Sequence, residues 1–275
     1  MQTVTSHDGT TIAYDQVGHG PALILVSGAL GKRGDPTLAN LLAPHFTVIH
    51  HDRRGRGDSG DTPPYAVQRE VEDIEALIDA AGGSAYLYGM SSGAVLALEA
   101  ASKLPGKVNK LVMYEPPLIT DASRPPAPAD LVEYLQRAVA EGRRGDAVEY
   151  FMTQAVLVPA EFVAQMRFAP VAVGSEGAVT TPMWEEMEKI AHTLVYDSLI
   201  MDGLMSGNPL PPQRWYANTA PTLVITGGNS GPFFANSAQR LIKDLPNAQH
   251  RVLPGQDHAV APAALTPLLI EFFLS

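Results

Sequence analysis

Residues Leu87-Tyr88-Gly89-Met90-Ser91-Ser92-Gly93-Ala94 decide how this chain folds: an apolar strand runs out, Gly-x-Ser-x-Gly follows, and an alanine-rich helix begins. The segment reads as a nucleophile elbow, a sharp strand-to-helix turn that presents a serine at a sheet edge. Such a turn strains the serine backbone, so the residues two positions away on either side must be nearly free of side chain. Gly89 and Gly93 meet that need. Ser91 then projects from the sheet, and the amide of Ser92 opens the helix, facing any oxyanion that forms. The register fits Ser91 and not Ser92. Gly-x-Ser-x-Gly by itself recurs by chance, but here 84–88 is strand-like and 94–104 helix-like.

Working outward, strands and helices alternate. Residues 2–6 and 10–16 alternate in polarity around Asp8-Gly9, a hairpin signal. Ala22-Leu23-Ile24-Leu25-Val26 is continuously apolar, as expected of a parallel strand covered on both faces, and Thr47-Val48-Ile49-His50-His51 reads as another buried strand. Between them lie the loop Ser27-Gly28-Ala29-Leu30-Gly31 and a short helix at 36–42. A glycine-rich loop follows, Asp52-Arg53-Arg54-Gly55-Arg56-Gly57-Asp58-Ser59-Gly60, and then a helix over 66–80 with Val71, Ile74, Leu77 and Ile78 on one face. Beyond the elbow, Lys110-Leu111-Val112-Met113-Tyr114 is a further buried strand ending at Glu115-Pro116-Pro117.

There the rhythm breaks. From Asp121 to about Trp215 the patterns are helical, at roughly 130–143, 146–157, 160–168 and 183–202, with proline joints at 125–128, Pro170, Pro182 and 209–212. Alternation resumes with Thr222-Leu223-Val224-Ile225-Thr226, a helix at 233–243, a strand at 250–253, the loop Pro254-Gly255-Gln256-Asp257-His258 and a last helix from Pro262. The expected division is a core at 1–119, a helical lid at 120–215 laid over the sheet edge, and the second part of the core at 216–275.

The chain has 275 residues, 45% apolar and 17% charged, which fits a globular enzyme and argues against long disorder. No apolar run approaches the ~20 residues that span a bilayer, and the N-terminus lacks a basic start followed by an apolar stretch, so a cytoplasmic protein is expected. With no cysteine there are no disulfides, thiol nucleophiles or thiolate metal sites. A net charge of -10 disfavours nucleic acid and anionic membranes, leaving a small molecule as the expected partner.

This order of features resembles the α/β-hydrolase superfamily over essentially the whole chain. The resemblance is carried by Ser27-Gly28-Ala29, the Asp52 to Ser59 loop, the elbow and Gly255-Gln256-Asp257-His258. It implies an α/β-hydrolase fold: a mostly parallel eight-stranded sheet flanked by helices, a helical lid after the sixth strand, and a site at the carboxyl ends of the strands. A serine hydroxyl needs a base with a pKa near working pH. The family keeps its histidine in the loop after the last strand, which points to His258. The family pattern assigns the oxyanion donors to the amides of Ser92 and Ala29, although most relatives carry His-Gly where this chain has Ser27-Gly28. His250 lies inside a strand and reads as structural. His50 and His51 invite a metal reading, but adjacent strand residues face opposite sides. No metal or other cofactor is implied.

The acid departs from the family. Most relatives place it after the seventh strand, where this chain reads Thr226-Gly227-Gly228-Asn229-Ser230-Gly231, with no carboxylate. Either the protein is inactive or the acid lies elsewhere. Some family members hold it after the sixth strand, where Glu115 stands. Glu115 could instead simply cap the loop before Pro116-Pro117. Asp257 directly precedes the histidine and would point away from Nδ1, and Asp52 is better suited to pinning the Arg53-Arg54 loop. Ser91, Glu115 and His258, with Gly28-Ala29-Leu30-Gly31, the Glu-Pro turn and a lid containing a tryptophan, are similar to the zearalenone-lactonase type of hydrolase, which implies a Ser-His-Glu triad.

The lid carries Met152, Met166, Phe168, Met183, Trp184, Met187, Tyr196, Met201 and Met205. Methionine surfaces adapt to irregular apolar ligands, so a hydrophobic ester or lactone is the expected substrate, with Trp184 and Met187 expected to line its pocket. At helical spacing, at least half of these residues serve to pack the lid itself. Haloalkane dehalogenases and epoxide hydrolases of this fold place a carboxylate at the elbow, and Ser91 argues against both. Perhydrolysis, C–C hydrolysis and acyl transfer use the same triad, and a ligand-binding protein that has lost turnover is the rival from another class.

Overall fold

The apolar runs become the middle of one sheet. The computed structural model describes residues 1–168, 183–207, 210–211 and 214–275. Strands β1 (Gln2–Thr5) and β2 (Thr11–Val17) form the antiparallel opening, turning at Asp8, whose Oδ1 accepts from the amide of Thr10 at 3.0 Å. β3 (Ala22–Val26), β4 (Thr47–His51), β5 (Ala85–Met90), β6 (Val108–Tyr114), β7 (Thr222–Gly227) and β8 (Ala248–Leu253) complete an eight-stranded sheet of order β1-β2-β4-β3-β5-β6-β7-β8. From β4 through β8 every pairing is parallel. All five residues of β3 are buried, as an apolar run with no polar alternation requires. β5 lies between β3 and β6, so the elbow emerges at the centre of the sheet's carboxyl edge.

Helices cover both faces. On one lie α2 (Val67–Ala80), α3 (Ser92–Lys103) and α9 (Pro232–Asp244), and on the other α1 (Thr37–Leu42) and α10 (Pro262–Leu274). α3 is buried from Ser92 to Ala101, and its alanines and glycine let it approach β5 and β6 closely. α2 shows the expected stripe, with Val71, Ile74, Leu77 and Ile78 buried.

Between β6 and β7 lie α4 (Leu131–Ala140), α5 (Arg144–Tyr150), α6 (Ala160–Arg167), α7 (Met183–Lys189) and α8 (Thr193–Ile200), which share a core of their own including Leu135, Val148, Val163 and Leu194. Two expected helices are modified. The 146–157 pattern is α5 running into a π-helical turn, Phe151–Val156, closed by Leu157 at φ 66 ahead of Pro159. The 183–202 pattern breaks between α7 and α8, where the Thr193 hydroxyl donates to the carbonyl of Ile190 and competes with the helical ladder. The joints expected at Pro170, Pro182, Pro209 and Pro212 lie outside the described residues. Among the described residues no helix is long and apolar enough to cross a membrane.

Candidate active site

The elbow holds Ser91 at φ 56 and ψ -129, with its amide donating to the carbonyl of Tyr114 at 2.9 Å. Its neighbours have no room for a side chain. A Cβ on Gly89 would lie 2.4 Å from the carbonyl oxygen of Gly93, and one on Gly93 would lie 2.4 Å from that of Ser27. Strand, turn and helix are therefore locked together, and the strain at Ser91 is held by close backbone packing. Ser92 opens α3, so its amide has no carbonyl one turn back to donate to.

Ser91, Ser92, Ala29 and His258 line one cavity of about 680 Å³ between the sheet edge and the inserted helices. Glu115 lies just behind them, fully buried at φ 47. Its Oε2 is 2.7 Å from His258 Nδ1, and its Oε1 accepts from the amide of Gly227 at 2.8 Å. An ionised carboxylate only accepts, so this contact puts the proton on Nδ1 and leaves Nε2 as the basic nitrogen. The His258 ring stacks on Phe234 at 5.0 Å. The loop around it is tied to the loop after β7, with Asn229 N donating to Gln256 O at 2.9 Å and Gly228 N to Leu253 O at 2.8 Å. Asp257 is turned elsewhere: its carboxylate accepts from the amide of Ala259 at 2.9 Å.

The loop after β3 is held from beneath. Arg56 Nη1 donates to the carbonyls of Gly28, at 2.7 Å, and Gly31, at 3.0 Å, while Arg53 Nη1 donates to that of Ser27. In a trans peptide the N–H points opposite to the C=O. Anchoring the Gly28 carbonyl on Arg56 therefore turns the Ala29 amide the other way.

Both arginines are buried and share Asp197 of α8, which accepts from Arg53 Nη1 at 2.7 Å, Arg56 Nη2 at 2.6 Å and the Ser92 hydroxyl at 2.8 Å. Burial pushes the Asp197 carboxyl up, but Arg53 and Arg56 outweigh it and hold the carboxyl below its ordinary range. Burial opposes charge on Arg53 too, and Asp197 and Glu70 reverse that, so its pKa lies well above the ordinary one. Sequence reasoning missed this network. The signal was present: Asp197 is the only Asp, Glu, Lys or Arg between Ile190 and Met201, a mostly apolar helical stretch.

Several expectations change in detail. Asp52 does pin the arginine loop, but by accepting from Asp58 N at 3.0 Å and Arg33 N at 2.7 Å, while Arg54 is held by Asp73 and Asp8. Trp184 and Met187 do not line the cavity. Trp184 faces into the core of the inserted helices and donates through Nε1 to Glu188 at 3.0 Å, and Met187 packs against the same core. Met152, from the π-helical turn, and Met201 and Met205, from the segment that follows α8, line the cavity instead. Among the described residues no group of three or more His, Cys, Asp or Glu side chains could hold a metal, and His50 and His51 form no such site.

The sequence matches the alpha/beta hydrolase family over residues 23–266. The crystal structure of an alpha/beta hydrolase from Sphaerobacter thermophilus DSM 20745 is 51% identical, with 99% of this chain and 100% of that chain covered and a TM-score of 0.87. An uncharacterized hydrolase of Bacillus subtilis (strain 168), YraK, is 34% identical over 116 residues, covering 40% of this chain and 43% of that protein. The human serine hydrolase BPHL is 34% identical over 116 residues, 39% of this chain and 40% of that protein. The matched stretch thus spans about two fifths of these two relatives.

Proposed function

Because the chain belongs to the alpha/beta hydrolase family, we propose that it cleaves a carboxylic ester or lactone of a hydrophobic small molecule through an acyl-enzyme on Ser91. The observation that carries this reading is the 2.7 Å contact between Glu115 and His258 at a cavity that Ser91 also lines. In this reading Glu115 takes the place of the acid missing after β7, which supports turnover over a binding-only role.

Ser91 Oγ attacks the carbonyl carbon while His258 Nε2 takes its proton. The oxygen of the tetrahedral intermediate accepts from the amides of Ser92 and Ala29. His258, now an imidazolium stabilised by Glu115, protonates the leaving alcohol, or the alkoxide end of an opened lactone. Water then enters by the same route in reverse, and the acid product leaves. Residues 120–215 act as the lid, and Phe151, Met152, Leu131, Met201 and Met205 make its inner wall apolar.

A fluorophosphonate probe tests the nucleophile. Wild type is expected to label covalently and Ser91→Ala not at all, with ester turnover down by at least about 10⁴-fold. Labelling that survives the substitution overturns the reading. Aromatic and macrocyclic lactones run beside p-nitrophenyl esters of increasing chain length sort lactonase from esterase.

A further inference from the structure

Among the described residues, one positive charge in the cavity wall has no anion. Arg124, in the segment after β6, lines the same cavity as Ser91 and His258 and is its only Lys or Arg among the described residues. One terminal nitrogen, Nη2, donates to the carbonyl of Ala155. Nε is buried without an acceptor, and the guanidinium lies 4.7 Å from the centroid of the Phe233 ring. Arg124 is half-buried, and the fully buried arginines each have a carboxylate partner, although Arg56 Nε also lacks an acceptor: Arg53 pairs with Glu70 and Asp197, Arg54 with Asp73 and Asp8, and Arg56 with Asp197. Arg124 feels burial alone, which pushes its pKa below the ordinary value with no carboxylate to restore it.

A guanidinium remains charged in a protein. Stacking over Phe233 offsets part of its lost hydration, but a ring face brings no full counter-charge. A bound anion that meets the guanidinium from the cavity would. Of the two aspartates in the wall, Asp197 is neutralised by Arg53 and Arg56, and Asp202 is exposed to solvent.

We propose that Arg124 receives a carboxylate of the substrate, so that the preferred ester or lactone carries an acid group apart from the bond that is cleaved. A carboxylate suits this site better than a phosphate. One guanidinium balances one negative charge. The apolar wall then favours the charged substrate, because excluded water leaves the ion pair unscreened, and disfavours a neutral analogue, which leaves the guanidinium without a counter-ion. The product would carry two carboxylates when the substrate's acid group is on its acyl side. This inference rests on the ester-cleavage reading of Ser91 for its substrate class.

The test compares a matched pair, mono-p-nitrophenyl adipate and p-nitrophenyl hexanoate, together with shorter and longer homologues of each, on wild type, Arg124→Gln and Arg124→Lys. Wild type is expected to favour the acid ester by about tenfold or more in kcat/KM at its best chain length. Arg124→Gln is expected to remove that preference, mainly through KM, and Arg124→Lys to restore part of it and to stand in should the glutamine variant fail to fold. Calorimetry of the free dicarboxylates against Ser91→Ala, with and without Arg124→Gln, reads the site without turnover. Ester turnover with no acid preference, or with a preference that Arg124→Gln leaves intact, overturns the carboxylate site and spares the hydrolase. Arg124-dependent diacid binding without any ester turnover does the reverse. Neither turnover nor binding removes both.

Discussion

Two buried carboxylates serve the elbow from opposite sides. Glu115 follows β6, on one flank of β5, and Asp197 comes from α8 to the loop after β3, on the other. Glu115 meets one imidazole and one backbone amide. Asp197 meets two guanidinium groups and a hydroxyl. The first partner set includes an imidazole, and 41% of the His258 side chain is open to the cavity and solvent. The second joins two guanidinium groups to a serine hydroxyl, and Asp197 and both arginines are buried. In the proposed mechanism one side of the serine changes charge during the reaction, and the other holds loop 27–31 through the carbonyls of Ser27, Gly28 and Gly31. A donor that must not move is best fixed by ions that do not titrate, whereas a base must sit where its proton can leave.

The largest effect that can break this contrast is on the titrating side. Glu115→Gln is expected to lower kcat at least about 10²-fold with Tm nearly unchanged, because an amide neither fixes the Nδ1–H tautomer nor stabilises imidazolium. Asn229→Ala, at the place where most relatives keep the acid, is expected to do little. Near-full turnover in folded Glu115→Gln removes Glu115 from the mechanism.

Asp197→Asn is expected to act mainly on stability. It leaves Arg53 and Arg56 buried with less negative charge, a loss of about 3 kcal/mol in denaturant unfolding. A fall in kcat of about tenfold should accompany it as the Gly28 and Gly31 carbonyls loosen, less than deleting an oxyanion donor outright. Unchanged unfolding in Asp197→Asn means the network does not anchor the inserted helices.

The charge network also dictates how stability depends on pH. Burial, helped by His50, Arg53 and Arg56, pushes the pKa of His51 down to about 3. With the folded value depressed, the unfolded chain binds the proton first as pH falls. Stability is then lost from about pH 6.5 downward, at about 1.4 kcal/mol per unit, until the folded value is reached. Asp197 works in a lower window: its contribution is complete above its unfolded value of 3.8 and is lost as pH falls through its depressed folded one. Unfolding free energies from pH 7 to 4.5 should therefore slope less in His51→Gln than in wild type, while Asp197→Asn leaves that slope alone.

The smallest expected effect separates cavity wall from core of the inserted helices. Met152→Ala should raise KM for long acyl esters about fivefold, the loss of roughly one buried apolar contact. Trp184→Phe should leave KM unchanged and lower Tm, through the bond to Glu188. A KM shift in Trp184→Phe that matches the Met152 one returns Trp184 to the pocket.

Local rules made most of the frame legible before any coordinates. Continuous apolar runs marked the parallel strands, a 3.6-residue stripe marked α2, and two glycines flanking Ser91 marked the elbow, because each is dictated by backbone sterics or by burial of a nearby face. The lack of a carboxylate between Thr226 and Gly231 is likewise legible in the sequence, as is the glutamate that follows the preceding strand, Glu115. Long-range pairing belonged to the folded chain. Arg53 and Asp197 are 144 residues apart and Glu115 and His258 are 143 apart, and no periodicity relates such positions. The facing of α7 away from the cavity, and of Met152 and Met205 toward it, followed from where α7 and α8 part and where the π-helical turn shifts the helix register. An amphipathic pattern shows that a helix has a buried side; only packing in three dimensions decides which neighbour that side meets, because several apolar partners satisfy the same stripe equally well.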